Sequence, residues 1–403
     1  MDKADVKLDK QIELCIRKEI GKLDGNLLLE DLKRVKVLYI NHEGEWGDNR
    51  NVITSLEGLQ YCTNLERITF KTTRISNIEI LGKLKKLVFL NLENNVIQDI
   101  SPIRNMKNLK SLNLKGNYAL RDVSSLEDLK ALEYLNLEDT KVVDTTPLQN
   151  LSALKFLNLY STPAQYIRLK FPEKLISLGV PEGFCNLRKL KSFSGLRHLT
   201  LPRWVQRIDD LYQYLNIENI TSLRIQNNDI TEITGIEKLK QLRVLDLFAN
   251  NIVDITAIGE LQQLRKLDLG INRINDIFVL SRLTRLKSLK IGRNLITDFT
   301  PLAQLRDLQV LCAEDNVITD LDFIEALNNL TYLYLGGCNI TDISSLISLE
   351  NLRYLIIPDN KISSIKSIQN LNKLRCVHIY ENPINSVEIQ NMKVYLNGVD
   401  FIY

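Results

Sequence analysis

The sequence contains no run of about 18 apolar residues, so it offers no candidate for a membrane-spanning helix. Its first residues, MDKADVKLDK, lack the apolar heart of a signal peptide. As it stands the chain reads as cytoplasmic, or as secreted or cell-surface if an export signal precedes this segment. Histidine is scarce: His42, His198 and His378 stand far apart, and no zinc motif, G-x-x-x-x-G-K phosphate loop or nucleophile elbow appears. Cysteines 15, 62, 185, 312, 338 and 376 show neither Cys-x-x-Cys nor paired spacing, which fits small core or face residues in a reducing compartment. In the loop NHEGEWGDNRN, Glu43, Glu45 and Asp48 lack EF-hand spacing. A net charge of +3 over 403 residues is close to neutral and does not by itself point to nucleic acid. These absences argue against an enzyme, a metal or another cofactor, and a nucleic-acid partner.

What is abundant is one spacing. From Ile225 the second member of a Leu-x-Leu-type pair recurs at Leu247, Leu269, Ile291, Ala313, Leu335, Ile357 and Ile379, each step being 22 residues. Backwards the register continues through Leu201, Val180, Leu159, Leu137, Leu114, Leu92, Phe70 and Ile40 with steps of 21 to 30. A fixed period of that size marks a repeat array in which each unit buries its apolar edge against its neighbours. Function then belongs on a long regular surface. The whole chain reads as one domain: a helical cap and first strand over 1–40, regular repeats over 41–159 after an insertion, irregular repeats over 160–222, regular repeats over 223–385, and a closing cap over 386–403.

One unit, VLDLFANNIVDITAIGELQQLRKL, shows the chemistry. Alternation at Leu245-Asp246-Leu247 sends both leucines to the core and Asp246 to the open side of a strand. Apolar residues at Ile252, Ile255, Ile258, Leu261 and Leu264 recur every third position, which fits tight 3₁₀ turns better than a long helix. Ser101-Pro102, Thr146-Pro147 and Thr300-Pro301 suit the start of such turns, with the hydroxyl as an expected cap. Three residues after the pair stand Asn95, Asn117, Asn228, Asn250, Asn272, Asn294, Asn316, Asn360 and Asn382, whose inward amides are expected to bond adjacent coils as a ladder. Thr73, Thr140, Thr162 and Cys338 keep some donor capacity there, whereas Gly183 keeps none and Trp204 only a bulky one, so the ladder should weaken in the middle. This is the L-x-x-L-x-L-x-x-N-x-I signature of leucine-rich repeats. It predicts an α/β solenoid, a curved right-handed coil with a parallel concave β-sheet and a thin convex side of 3₁₀ turns and short helices.

The ends must cover an exposed apolar stack. Leu8, Ile12, Ile16 and Ile20 form an amphipathic helical face suited to the first coil, with Leu32, Val35, Leu38 and Ile40 matching the repeat. At the other end Asn397-Gly398, between alternating Val394, Leu396, Val399 and Phe401, reads as a hairpin. A helical cap, an insertion, ITSLEGLQYCTNLERI and then DISPI at 99–103 resemble the start of internalin-like bacterial leucine-rich-repeat domains. That resemblance implies a non-enzymatic module gripping a protein ligand with its concave face. The irregular units from Tyr160 to Thr221 depart from it. The 22-residue unit is also similar to that of leucine-rich regulatory subunits of Ser/Thr phosphatases, which implies an intracellular scaffold as the alternative.

Tyr134, Phe156 and Tyr160 form one aromatic cluster at display positions, and Tyr332, Tyr334, Tyr354 and Tyr380 another, with Phe248 and His378 on the same face. Large rings sent to solvent suit an interface, while stacking across strands would explain them structurally. A basic stretch, Arg188, Lys189, Lys191, Arg197, Arg203 and Arg207, reads first as a solvated face, next as a patch for an acidic protein and last, without a nucleic-acid motif, as one for a phosphate backbone. Cys376 and His378 share one side of a strand, the one arrangement compatible with a thiol-dependent enzyme. The chain reads as a monomer.

Overall fold

The computed structural model describes residues 7–41, 52–203 and 205–403. The insertion's His42, Glu43, Glu45 and Asp48, and Trp204 in the ladder position, lie outside the described residues. The chain divides into two compact units, Met1–Pro202 and Arg203–Tyr403.

The first unit opens with helix α1 (Lys10–Ile20) and the short helix α2 (Leu29–Arg34). Ile12 and Ile16, one helical turn apart, are fully buried. The side chain of Asp9 caps α1 by accepting the Gln11 N–H at 2.9 Å, and its second oxygen takes the Thr54 N–H and hydroxyl at 2.9 and 2.8 Å. One carboxylate thus starts the helix and pins it to the first repeat. Strands β1 (Val37–Asn41), β2 (Arg67–Lys71), β3 (Phe89–Asn91), β4 (Ser111–Asn113), β5 (Tyr134–Asn136), β6 (Phe156–Asn158), β7 (Ser177–Gly179) and β8 (His198–Thr200) follow, each parallel to the next.

In the second unit β9 (Ser222–Arg224), β10 (Val244–Asp246), β11 (Lys266–Asp268), β12 (Ser288–Lys290), β13 (Val310–Cys312), β14 (Tyr332–Tyr334), β15 (Tyr354–Ile356), β16 (Cys376–His378) and β17 (Asp400–Ile402) are likewise all parallel in sequence order. The middle residue of each strand from β3 to β16 is buried, as alternation requires. Behind the strands, Ile252, Ile255, Ile258, Leu261 and Leu264 are at most 1 % exposed, so the three-residue spacing does fill the core through a 3₁₀ turn, Thr256–Glu260. Each unit is thus the expected leucine-rich-repeat arrangement of parallel strands and short turns.

The asparagine ladder is present. Asn250 donates from Nδ2 to the carbonyls of Ile225 and Leu247, both at 2.9 Å, while its Oδ1 accepts the Ile230 N–H at 3.1 Å. Asn272, Asn294 and Asn316 repeat that pattern 22 residues apart. In the first unit Asn95 and Asn117 do the same, but Thr140 and Thr162 reach only the carbonyls of Leu137 and Leu159 in their own coils. A hydroxyl is too short to span the distance that an amide covers.

Two expectations need correction. The turn hydroxyls are not the caps: the N–H of Ser101, Thr146 and Thr300 is accepted by Asp99, Asp144 and Asp298, at 2.7, 2.8 and 2.9 Å. A carboxylate two residues ahead makes this Asx-type bond with a charged acceptor, which outcompetes a hydroxyl. The C-terminal segment is not a hairpin. Residues Ser386–Tyr395 form helix α3, capped by Asn385 Oδ1 on the Val387 N–H at 2.8 Å, and β17 then joins β16 in parallel. Ile389, Met392 and Leu396, spaced three and four apart, are the buried residues there, whereas Val394 is exposed. Helical periodicity overrode the apparent alternation. Gly398, at φ +84°, turns the chain from helix to strand.

Candidate binding face

Each repeat sends three side chains to the open side of the sheet: the first and third residues of its strand and the residue two positions further on. In the first unit the third strand residues form an amide row, Asn91, Asn113, Asn136 and Asn158, in register from β3 to β6. Each Oδ1 accepts the N–H two residues on, at 3.0 to 3.1 Å, turning the chain out of its strand. The next row alternates in charge. Lys71 pairs with Glu93 at 3.3 Å and Lys115 with Glu138 at 2.8 Å, and the amides of Asn113 and Asn158 donate to Glu93 and Glu138. Gly179 belongs here, because a Cβ on it would overlap the Asn158 amide. This polar surface satisfies itself.

Beside it lie the aromatic side chains. Tyr134 and Phe156 stand 6.1 Å apart between centroids, tilted by 39°, and Tyr134 is exposed. Arg67 sits over the Phe89 ring at 4.2 Å, an ordering contact that the alternation of the sequence does not announce. Burial pushes the Tyr134 phenol up, against a lowering hydrogen bond from Asn136. Tyr160 departs from expectation: it is only 5 % exposed and its hydroxyl finds no partner. Alternation chooses the side of the sheet that a residue leaves from, not what packs beside it.

In the second unit Tyr332 and Tyr354 pair in register on β14 and β15, with centroids 5.9 Å apart and a 38° tilt. Tyr354 and Tyr380 are exposed, and Tyr334, Phe248 and His378 are half-buried. Burial, ahead of the charge of Glu314, pushes the Tyr334 phenol up. Successive backbone bonds run Phe248, Gly270, Gly292, Glu314, Gly336, Pro358 and Tyr380 side by side in one row. The Phe248 ring covers Gly270, the Glu314 carboxyl covers Gly292, and Tyr334 with Pro358 covers Gly336. These glycines were not singled out in the sequence, although the 22-residue alignment puts all three in one column. Asp268 pairs with Lys290 at 3.5 Å and Asp315 with Arg293 at 3.1 Å. Glu314, by contrast, has one oxygen closed off from solvent and without a hydrogen-bond partner, and burial raises its pKa.

The basic stretch divides between the units. Arg188, Lys189 and Lys191 lie in the turn Leu187–Ser192 and Arg197 precedes β8 in the first, whereas Arg203 and Arg207 belong to the second; all six are exposed. Cys376 and His378 do touch, with Sγ and Nε2 3.1 Å apart. Burial first, and Asp400 second, push the Cys376 thiol up, the reverse of what an activated thiolate requires. Cys62 is pushed up to about 12 and Cys312 and Cys338 to about 11, each chiefly by burial. All six cysteines are free thiols. Among the described residues no three or more His, Cys, Asp or Glu gather as a metal-holding group, and no helix is long and apolar enough to cross a membrane.

The family described as leucine-rich repeats, in two copies, matches residues 85–130, 218–260, 262–304 and 306–348. Among curated proteins, none matches the sequence. Among solved structures, an internalin from Listeria monocytogenes is 26% identical with a TM-score of 0.43, over 98% of this chain and 94% of that one. A leucine-rich-repeat protein of Leptospira interrogans is 22% identical at a TM-score of 0.52, over 98% of this chain and 100% of that one. The leucine-rich-repeat ectodomain of a plant membrane receptor kinase from Arabidopsis thaliana, solved in complex with Casparian strip integrity factor 2, is 19% identical at a TM-score of 0.54, over 86% of this chain and 48% of that one.

Proposed function

We propose that this chain, whose leucine-rich repeats match over residues 85–130, 218–260, 262–304 and 306–348, is a non-enzymatic binding module whose open sheet face docks a protein ligand. Proteins of this repeat class mediate protein–protein interactions. The observation that carries the reading is the aromatic surface of the second unit: Tyr332 and Tyr354 in contact on adjacent strands, with Tyr354 39% and Tyr380 41% exposed. Tyrosine buries much area with few rotatable bonds, which suits a hot spot. Tyr134 and Phe156 offer a smaller surface of the same kind in the first unit. Ring contact across strands contributes about 0.5–1.5 kcal/mol of its own, so stacking alone is the reading to be beaten.

A photo-crosslinking residue placed at position 354, and in a second variant at 134, tests the proposal against one at Phe278, which is 66 % exposed on a turn behind the sheet. Protein adducts should form at 354 or 134 and not at 278, and Tyr354→Ala should reduce capture while leaving thermal unfolding nearly unchanged. Equal adducts at 278, or loss of folding in Tyr354→Ala, would favour the stacking interpretation instead.

A further inference from the structure

Resting on the docking reading, we propose that Glu314 receives an arginine side chain of the protein ligand. The carboxylates near it on this face already hold cations, Asp268 with Lys290 and Asp315 with Arg293. Glu314 holds none among the described residues, and its Oε2 is shut away from water without a partner. A desolvated carboxylate of this kind gains more from an incoming cation than an exposed one, because it has already lost part of its hydration.

The surroundings select the shape of that cation. Gly292 lies beneath the carboxyl group, so close that a Cβ there would overlap it, and Gly336 flanks it on the following coil. Neither coil has a side chain of its own in this row, so the carboxyl group rests on Gly292, with Tyr334 and Pro358 over Gly336 beside it. The Tyr334 ring reaches over Gly336, its Cε2 2.9 Å from where a Cβ would stand. A carboxylate next to a tyrosine ring suits a planar guanidinium, which bonds the first through its N–H groups and lies against the second through its face. Charge complementarity at Glu314 itself names the occupant, since the row holds the uncharged Gly292 and Gly336 on either side of it.

The test titrates acetyl-Gly-Arg-Gly-amide, and the same peptide with citrulline for arginine, into the full chain carrying ¹³C-carboxyl glutamate. The arginine peptide should shift the Glu314 resonance saturably and bind at least about tenfold more tightly than the citrulline peptide, as expected of one charge-assisted pair. Glu314→Gln should abolish that preference. Gly292→Ala, which keeps the acid but displaces it, should weaken the arginine peptide several-fold with the unfolding midpoint retained. Equal binding of the two peptides, binding of neither, or a preference that survives in Glu314→Gln overturns the inference. Adducts at position 354 without an arginine preference would sink this inference alone, and an arginine preference without such adducts would sink the docking reading alone.

Discussion

The two units solve the same structural problem with different thoroughness, inside and outside. Within the second, Asn250, Asn272, Asn294 and Asn316 carry the ladder through four successive coils, each bonding a carbonyl 25 residues back and an N–H 20 residues back, and after the thiol of Cys338 Asn360 resumes it. Within the first, the ladder gives way after Asn117 to threonines that bond only their own coil. On the outside the order reverses. The first unit pairs the charges of its face, Lys71–Glu93 and Lys115–Glu138 with two amides, and among the described residues leaves only neutral atoms such as the Tyr160 hydroxyl without a partner, whereas the second leaves the Glu314 carboxylate unmatched. A strong scaffold can carry an unsatisfied surface group, and an unsatisfied surface group is what a ligand can satisfy.

The sharpest way to break the comparison is Asn272→Ala against Thr162→Ala. The first orphans the N–H of Ile252 and takes one of two amide donors from each of the carbonyls of Leu247 and Leu269, which keep Asn250 and Asn294, and should destabilise by about 2–3 kcal/mol. The second removes one bond inside its own coil and should destabilise by about 1 kcal/mol. Equal losses in urea unfolding would erase the distinction between the units. Hydrogen exchange at the Ile252 amide should accelerate only in the asparagine variant.

A smaller contrast comes from two glutamates. Glu138→Gln removes the charge partner of half-buried Lys115 and should destabilise by about 1 kcal/mol, a value limited by solvent screening. Glu314→Gln should behave in the opposite way. Its folded-state pKa is raised above the ordinary 4.5 by burial, so the folded protein holds that proton more tightly than the unfolded chain. Stability referable to Glu314 is therefore full below 4.5 and is lost as pH rises through the raised value. The glutamine variant should match the wild type at low pH and exceed it at neutral pH in thermal melts.

Smallest is a backbone effect. Most coils leave their strand through a residue of positive φ, and the first unit fills that place with Thr72, Asn94, Gly116, Asp139 and Ser161. The second unit uses Asn227, Asp315, Gly337 and Asp359 in the same way but also places Ala249 and Ile271 there, at φ +54° and +53°. A β-branched residue is poorly suited to that region, so Ile271→Asn should raise stability by about 1 kcal/mol in denaturant unfolding. No gain would mean that Ile271 packs well enough to offset the strain.

The period of 22 made the strands, the buried leucines and the amide ladder legible, because one-dimensional spacing and three-dimensional stacking coincide in a repeat array. The aromatic pairs were legible for the same reason: Tyr332 and Tyr354 are 22 apart and therefore adjacent. What escaped depended on neighbours rather than on period. Tyr160 leaves from the expected side of the sheet yet is buried, and the glycines around Glu314 acquire meaning only from what covers them. At the C-terminal end two periodicities competed over the same ten residues, and burial of Ile389, Met392 and Leu396 decided for the helix.

The ladder's uniform geometry also bears on how such a chain changes length over generations. Were Asn250 to Ile271 excised, Asn272 would take up the very carbonyls of Ile225 and Leu247 that Asn250 now holds, and the seam would carry no broken bond. Gain or loss of a whole unit is thus a near-neutral event for folding, while it moves every display side chain beyond the seam by one strand spacing. Unequal recombination can therefore redraw the spacing of contacts offered to a ligand without designing a new core.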